Sequence, residues 1–181
     1  MKLREWIADN VGYRFGGCCY NYFSSHKQLF DFIEAKIPDD FLGREISDLG
    51  CGDGQNTFKI KKIFKPKKIT GYERNDFLIR RAEQRGLKVK KVDLNKKVPS
   101  GEMVVSTFAL HHLHDKEETL RQIVKNFRYV FLCEPVRDLY HFLFDAGRTL
   151  RKKEWIDLFD KAFKKYKLYQ FKSSLIVFFQ K

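Results

Sequence analysis

One stretch constrains this chain more than any other. An apolar lead-in at Ile46 runs into Asp48-Leu49-Gly50-Cys51-Gly52-Asp53-Gly54-Gln55-Asn56, and a helical pattern from Phe58 to Phe64 comes next. Three glycines at alternate positions are costly inside a regular element but serve a turn, because without Cβ they reach positive φ and let a ligand press against bare backbone. The helix behind such a turn offers unpaired N–H groups to ligand oxygens. An ordinary glycine-rich strand-to-helix turn carries the same local pattern, so the spacing of the later strands and their acids has to decide.

A second strand pattern, Ile69-Thr70-Gly71-Tyr72-Glu73, ends in an acid about twenty residues past the glycines, where nucleotide-binding folds hold ribose hydroxyls. A third, Val89 to Leu94, carries Asp93 at its end. A fourth, Met103 to Leu110, runs into His111-His112-Leu113-His114-Asp115. The strings DLGCGDG, GYER, VDL and STFALHHLHD stand in this order over about half the chain. In this they resemble the class I S-adenosylmethionine-dependent methyltransferases, of the small type 11-like kind.

The resemblance implies a Rossmann-like, doubly wound α/β fold: a seven-stranded, mostly parallel sheet with its last strand antiparallel and helices on both faces. It implies S-adenosylmethionine as cofactor. Gly50, Gly52 and Gly54, with Cys51 and Asn56 in the same turn, would admit the methionine part, and Asp48 sits where the family commonly has an acid near the cofactor's amino group. Glu73 would take both ribose hydroxyls with Arg74 flanking the adenine, Asp93 and the Leu94 amide would meet the adenine amino group, and Thr107, Phe108 and Ala109 would lie under the cofactor. Methyl transfer from a sulfonium needs positioning and, for some acceptors, removal of a proton. His111 and His112 are the candidate bases, because histidine titrates near neutral pH; shaping the pocket is the alternative role. No Asn-Pro-Pro-aromatic tetrad and no Pro-Cys comes after strand four, which sets the chain apart from enzymes that methylate exocyclic amines of bases or glutamine amides, and from cysteine-nucleophile cytosine chemistry.

The remaining sequence frames this core. Residues 1–44 read as a helical cap, with helices over Lys2 to Asp9 and His26 to Lys36, the second capped by Ser24 or Ser25 and striped by Leu29, Phe32, Ile33 and Ile37. Between them an aromatic, glycine-flanked segment supplies Tyr13, Tyr20 and Tyr22 as substrate-pocket candidates beside His112; packing of these rings on the sheet is the alternative. Residues 45–135 form the cofactor-binding core, in which strand and helix alternate. Within it, helices are expected over Asp76 to Arg85, capped by Asn75, and over Lys116 to Phe127; the fifth strand, Tyr129 to Cys133, is stopped by Glu134-Pro135. Residues 136–181 hold two helices broken near Gly147, then strands Lys167 to Lys172 and Leu175 to Gln180 on so short a turn that they must form an antiparallel hairpin. At 181 residues the whole reads as one domain, with a monomer as the expected state.

Charge bears on the partner. The formal net charge is +13, yet residues 1–58 hold six bases and nine acids, while residues 59–68 hold six lysines and no acid. Residues 80–97 and 148–181 are also strongly basic. This leaves two acceptor classes open, a small molecule or an RNA such as tRNA, with a solvated lysine surface as the bland account. No apolar run approaches a transmembrane span, the longest being Tyr129 to Cys133 and Leu175 to Phe179, and the N-terminus lacks an apolar signal region. Cys18, Cys19, Cys51 and Cys133 form no CxxC and match no zinc pattern, so no metal is expected and a cytoplasmic setting with reduced thiols fits. Two other classes share the early motifs: a nicotinamide-dependent oxidoreductase, which prefers GxGxxG over the GxGxG present here, and a non-catalytic cofactor- or RNA-binding module.

Overall fold

The computed structural model describes residues 26–137 and 149–181. The expectations for Lys2 to Asp9, Ser24, Ser25, Tyr13, Tyr20, Tyr22, Cys18, Cys19 and the break near Gly147 lie outside the described residues. In chain order the elements are α1 (His26–Glu34), β1 (Glu45–Leu49), α2 (Gln55–Phe64), β2 (Lys68–Glu73), α3 (Asp76–Gln84), β3 (Val89–Lys91), β4 (Met103–Thr107), α4 (Lys116–Asn126), β5 (Tyr129–Pro135), α5 (Lys152–Ala162), β6 (Lys167–Phe171) and β7 (Ser174–Gln180).

The strands form one seven-stranded sheet in the order β3-β2-β1-β4-β5-β7-β6. β1 to β5 are mutually parallel, and the terminal hairpin pairs antiparallel, with β7 against β5 from Tyr129↔Gln180 to Pro135↔Ser174. The chain winds outward from β1 to β3, then returns to the other side of β1 through β4. The switch point therefore lies between β1 and β4, and a crevice opens at the carboxyl ends of these strands.

Both faces are covered, which explains the continuous apolar runs in β4, β5 and β7. Val104, Val130, Leu132 and Val177 face α4 and α5, packing with Leu120, Ile123, Trp155 and Phe159. Their neighbours Met103, Val105, Phe131, Cys133 and Ile176 face α1 and α2, packing with Leu29, Phe30, Ile33, Ile60 and Phe64. Trp155 and Phe159 stack at 5.4 Å, and the Trp155 indole N–H donates to the Pro135 carbonyl at 2.8 Å. A fully buried aromatic side chain contributes about 3 kcal/mol by area alone, so α5 is a principal anchor of the β5–β7 side.

The caps explain the helix starts. The Asn75 side chain accepts from the N–H groups of Phe77 and Leu78, and the Asp115 side chain from that of Glu118. Three strand ends differ from the sequence reading by two residues or more. β3 stops at Lys91 and β4 at Thr107, because the chain leaves the sheet to wall the crevice. β5 runs through Glu134 and Pro135 instead of stopping at Cys133: its pairing with β4 ends at Cys133, so beyond that point Pro135 faces no β4 acceptor that needs its missing N–H. No helix among the described residues is long and apolar enough to cross a membrane.

Candidate functional site

The carboxyl ends of β1, β2 and β4 and the segment after β3 enclose a cleft of about 230 Å³. Its floor is the glycine turn. Gly50, Gly52 and Gly54 all have positive φ, at 70°, 55° and 84°. The N–H groups of Gly50 and Cys51 both donate to the Tyr72 carbonyl, at 2.8 and 3.2 Å, so the turn hangs from the end of β2. Gly54 caps α2 in the left-handed conformation. The Arg85 guanidinium holds the loop from outside, 2.7 Å from the Asp53 carboxylate.

Glu73, at the end of β2, is the hub. Its Oε1 accepts from the N–H groups of Arg74 and Asn75, at 2.8 and 3.0 Å, and its Oε2 from Gly52 N–H at 3.1 Å. Gly50, Cys51, Gly52, Asn56, Glu73 and Arg74 line the cleft, as do Leu94, Thr107, Phe108, Ala109 and His112. Asp93 is not among the lining residues: it closes its own turn, its Oδ1 accepting from Asn95 N–H at 3.1 Å, and Val92 and Asn95 line the wall on either side. Tyr72, Leu78 and Leu113 also line the cleft, and the sequence reading gave none of them a role there.

The histidines separate. His111 is buried and its Nδ1 lies 2.8 Å from Glu134 Oε2. Glu134 is fully buried, and also accepts from the N–H groups of Ala109, Leu110 and His111, at 3.2, 2.9 and 3.3 Å. Facing an acceptor-only carboxylate, Nδ1 of His111 is the donor. The His112 ring packs on that of His111, with centroids 3.9 Å apart, and lines the cleft. Glu134 is the residue that sequence reasoning missed, since Glu-Pro reads as a strand stop. Phe108, at φ 56°, holds a left-handed conformation that a bulky residue rarely adopts, at the point where β4 turns into the cleft wall. Among the described residues no cluster of histidine, cysteine or carboxylate side chains has the makings of a metal site.

Residues 47–128 match the family model described as "Methyltransferase domain". Over this stretch, a little under half of the chain, the sequence is that of a methyltransferase domain. No curated protein matches its sequence. Among solved structures, the plantazolicin methyltransferase BpumL in complex with SAH is similar at a TM-score of 0.76 and 13% identity, over 98% of this chain and 93% of that one. The magnesium protoporphyrin IX methyltransferase from Synechocystis with bound SAH gives 0.69 and 13%, over 97% of each chain. The mitomycin 7-O-methyltransferase MmcR gives 0.70 and 15%; 97% of this chain is covered, but only 60% of that one. At these identities the likeness is one of fold.

The residues of this methyltransferase domain fit its cofactor. Asp48 is 1% exposed; Oδ2 accepts from the Thr57 hydroxyl at 2.5 Å, and Oδ1 has no partner among the described residues. An orphaned carboxylate oxygen beside the glycine turn is costly until a cationic donor meets it, and the cofactor's amino group is one. Burial, helped by the charge of Glu73 and opposed by the Thr57 hydrogen bond, pushes Asp48 up from 3.8 to about 7. A carboxyl group with a raised folded-state pKa holds its proton longer folded than unfolded, so stability falls as pH rises between these two values. Asp48→Asn is expected to flatten that decline in unfolding experiments from pH 4 to 8 and to weaken S-adenosylmethionine binding; an unaltered slope would place the titration elsewhere. The Cys51 thiol is also pushed up by burial, so it packs as a neutral group.

Proposed function

We propose that this domain methylates a small-molecule acceptor, with Glu73 at the ribose of S-adenosylmethionine, Asp48 at its amino group, Gly50 and Gly52 against its methionine part, and His112 beside the acceptor. The observation that carries the small-molecule reading is the charge of the cleft. Of the 36 lysines and arginines in the chain, Arg74 is the one that lines the cleft among the described residues. The rest of the lining adds the carboxylates of Asp53 and Glu73 and otherwise apolar or neutral side chains, among them Val92, Leu94, Phe108 and Leu113 beside Thr107 and His112. A polyanionic acceptor such as RNA would find little counter-charge there, and the plantazolicin, protoporphyrin and mitomycin enzymes fit the same reading.

S-adenosylmethionine supplies the electrophilic methyl group and its own leaving group. This chain's residues have to hold, orient and exclude water. Glu134 contributes by fixing the turn at 109–111 through its four contacts, which sets the His111 ring and, through ring packing, the His112 ring. For an acceptor whose reacting atom carries a proton, His112 accepts it or hydrogen-bonds to it.

The test is a tritiated S-adenosylmethionine assay on a fractionated cell extract. Label is expected in the low-molecular-mass fraction; label confined to RNA would overturn the small-molecule reading. With an acceptor in hand, His112→Ala is expected to lower kcat about tenfold, the worth of one hydrogen bond, with cofactor Kd unchanged. An unchanged kcat would remove His112 from the chemistry.

A further inference from the structure

A second cleft, of about 200 Å³, lies at the other end of β2. It is lined by Phe58 and Lys61 from α2, by Lys67 and Lys68 at the entry to β2, and by Leu87 and Lys88 before β3. The two clefts share no lining residue: Lys68 opens β2, and Glu73 closes it. At a rise of about 3.3 Å per residue their Cα atoms are roughly 16 Å apart. No carboxylate lines this second cleft. Lys61, Lys67, Lys68 and Lys88 are exposed and none of them forms an ion pair among the described residues, whereas Lys91 and Lys161 pair with Asp76 and Glu117. Lys62 on α2 and Lys65 just past its end extend the same basic run.

Phe58 supplies the second feature. It is 36% exposed, one of two large hydrophobic side chains left exposed among the described residues, and it belongs to no core cluster. Its neighbours on α2 that face the sheet, Ile60, Ile63 and Phe64, are buried. An uncovered aromatic ring set among four such ammonium groups is the combination that binds single strands: the ring stacks a base, and the cations track phosphates.

We propose that this cleft docks single-stranded nucleic acid, with a base on Phe58 and the flanking phosphates on Lys61, Lys67, Lys68 and Lys88. The nucleic acid is then a ligand held away from the methyl-transfer cleft, not the methyl acceptor. The proposal is independent of the acceptor reading and stands or falls on binding alone.

Fluorescence anisotropy with labelled 12-mers of oligouridylate and oligothymidylate tests it on the full chain. Binding is expected at about 50 mM salt, with log K falling against log salt at a slope of about −2 to −3 for four phosphate contacts. Phe58→Ala is expected to weaken binding about tenfold, and Phe58→Tyr to restore it. Lys61→Glu combined with Lys88→Glu should abolish binding, while Lys152→Glu combined with Lys153→Glu on α5 should leave it intact. S-adenosylmethionine affinity, measured in parallel, should not change in any of these variants. A preference for oligouridylate identifies RNA as the ligand; equal binding of the two strands identifies recognition by backbone and stacking. No binding at low salt, wild-type affinity in Phe58→Ala, or an equal loss from the α5 reversals would each overturn the proposal.

Discussion

Glu73→Ala is expected to weaken S-adenosylmethionine binding about a hundredfold while the fold survives. Two effects combine. Hydrogen bonds from ribose hydroxyls to a carboxylate are worth roughly 1.5–3 kcal/mol each, part of which is recovered by rearrangement. The structure adds a second effect, because Glu73 also receives the Gly52, Arg74 and Asn75 amides. A carboxylate has about four acceptor sites, so three are engaged before any ligand arrives. Taking both hydroxyls requires an amide contact to be shared or released. With Glu73 at the ribose as proposed, Glu73→Ala would remove that acceptor and untie the glycine turn from β2, which costs preorganisation as well. Glu73→Gln keeps one acceptor oxygen and the side-chain volume, and should fall between the two, about tenfold weaker than wild type. Titration calorimetry beside a circular dichroism melt separates binding from folding. A wild-type Kd in Glu73→Ala would mean that the ribose is held by other groups.

Gly50→Ala is expected to be the most damaging glycine-to-alanine change among the described residues. Gly50 sits at φ 70°, and a Cβ there would run into the Ala109 Cβ. The left-handed conformation alone costs an alanine roughly 1–2 kcal/mol. Pushing β1 away from the segment after β4 adds about 1–3 kcal/mol of overpacking. Together these lower the melting temperature by about 5–15 °C in a chain of this size, and they displace the wall of the cofactor cleft. Gly52→Ala is the internal control. It also has positive φ, at 55°, but an added Cβ meets nothing within 4 Å, so only the conformational cost of about 1–2 kcal/mol remains. Thermal unfolding of the two variants should separate them clearly. Equal melting temperatures would show that the Gly50–Ala109 approach relaxes without cost.

Much of this molecule was legible from its sequence because the relevant physics is local. Alternate glycines announce a turn through their backbone freedom, and the structure has all three at positive φ. Asn75 caps α3 because its side chain reaches N–H groups two and three residues on. The six-lysine run at 59–68, the acid closing β2 and the terminal hairpin are equally local, and the alternation of strands and helices predicts a parallel core sheet covered on both faces.

Tertiary structure decided what depends on partners distant in sequence. Glu134 lies 23 residues from His111, and no local pattern distinguishes a buried carboxylate that organises a turn from the polar end of a strand. The same packing parts two adjacent histidines, placing one in the core and the other in the cleft. Asp93 closes its own turn by accepting from the Asn95 amide, in a segment where β3 ends at Lys91, three residues short of Leu94. Pro135 stayed in a strand because β4 no longer needed its hydrogen. Even the charge, which composition reports only as a sum, acquired meaning when folding set four lysines in one cleft with Phe58 and none, among the described residues, in the cleft at the carboxyl ends of the strands. Sequence determines what each short segment can do alone; which side chains share a low-dielectric space is settled only by packing, because burial and its electrostatic consequences belong to the whole chain.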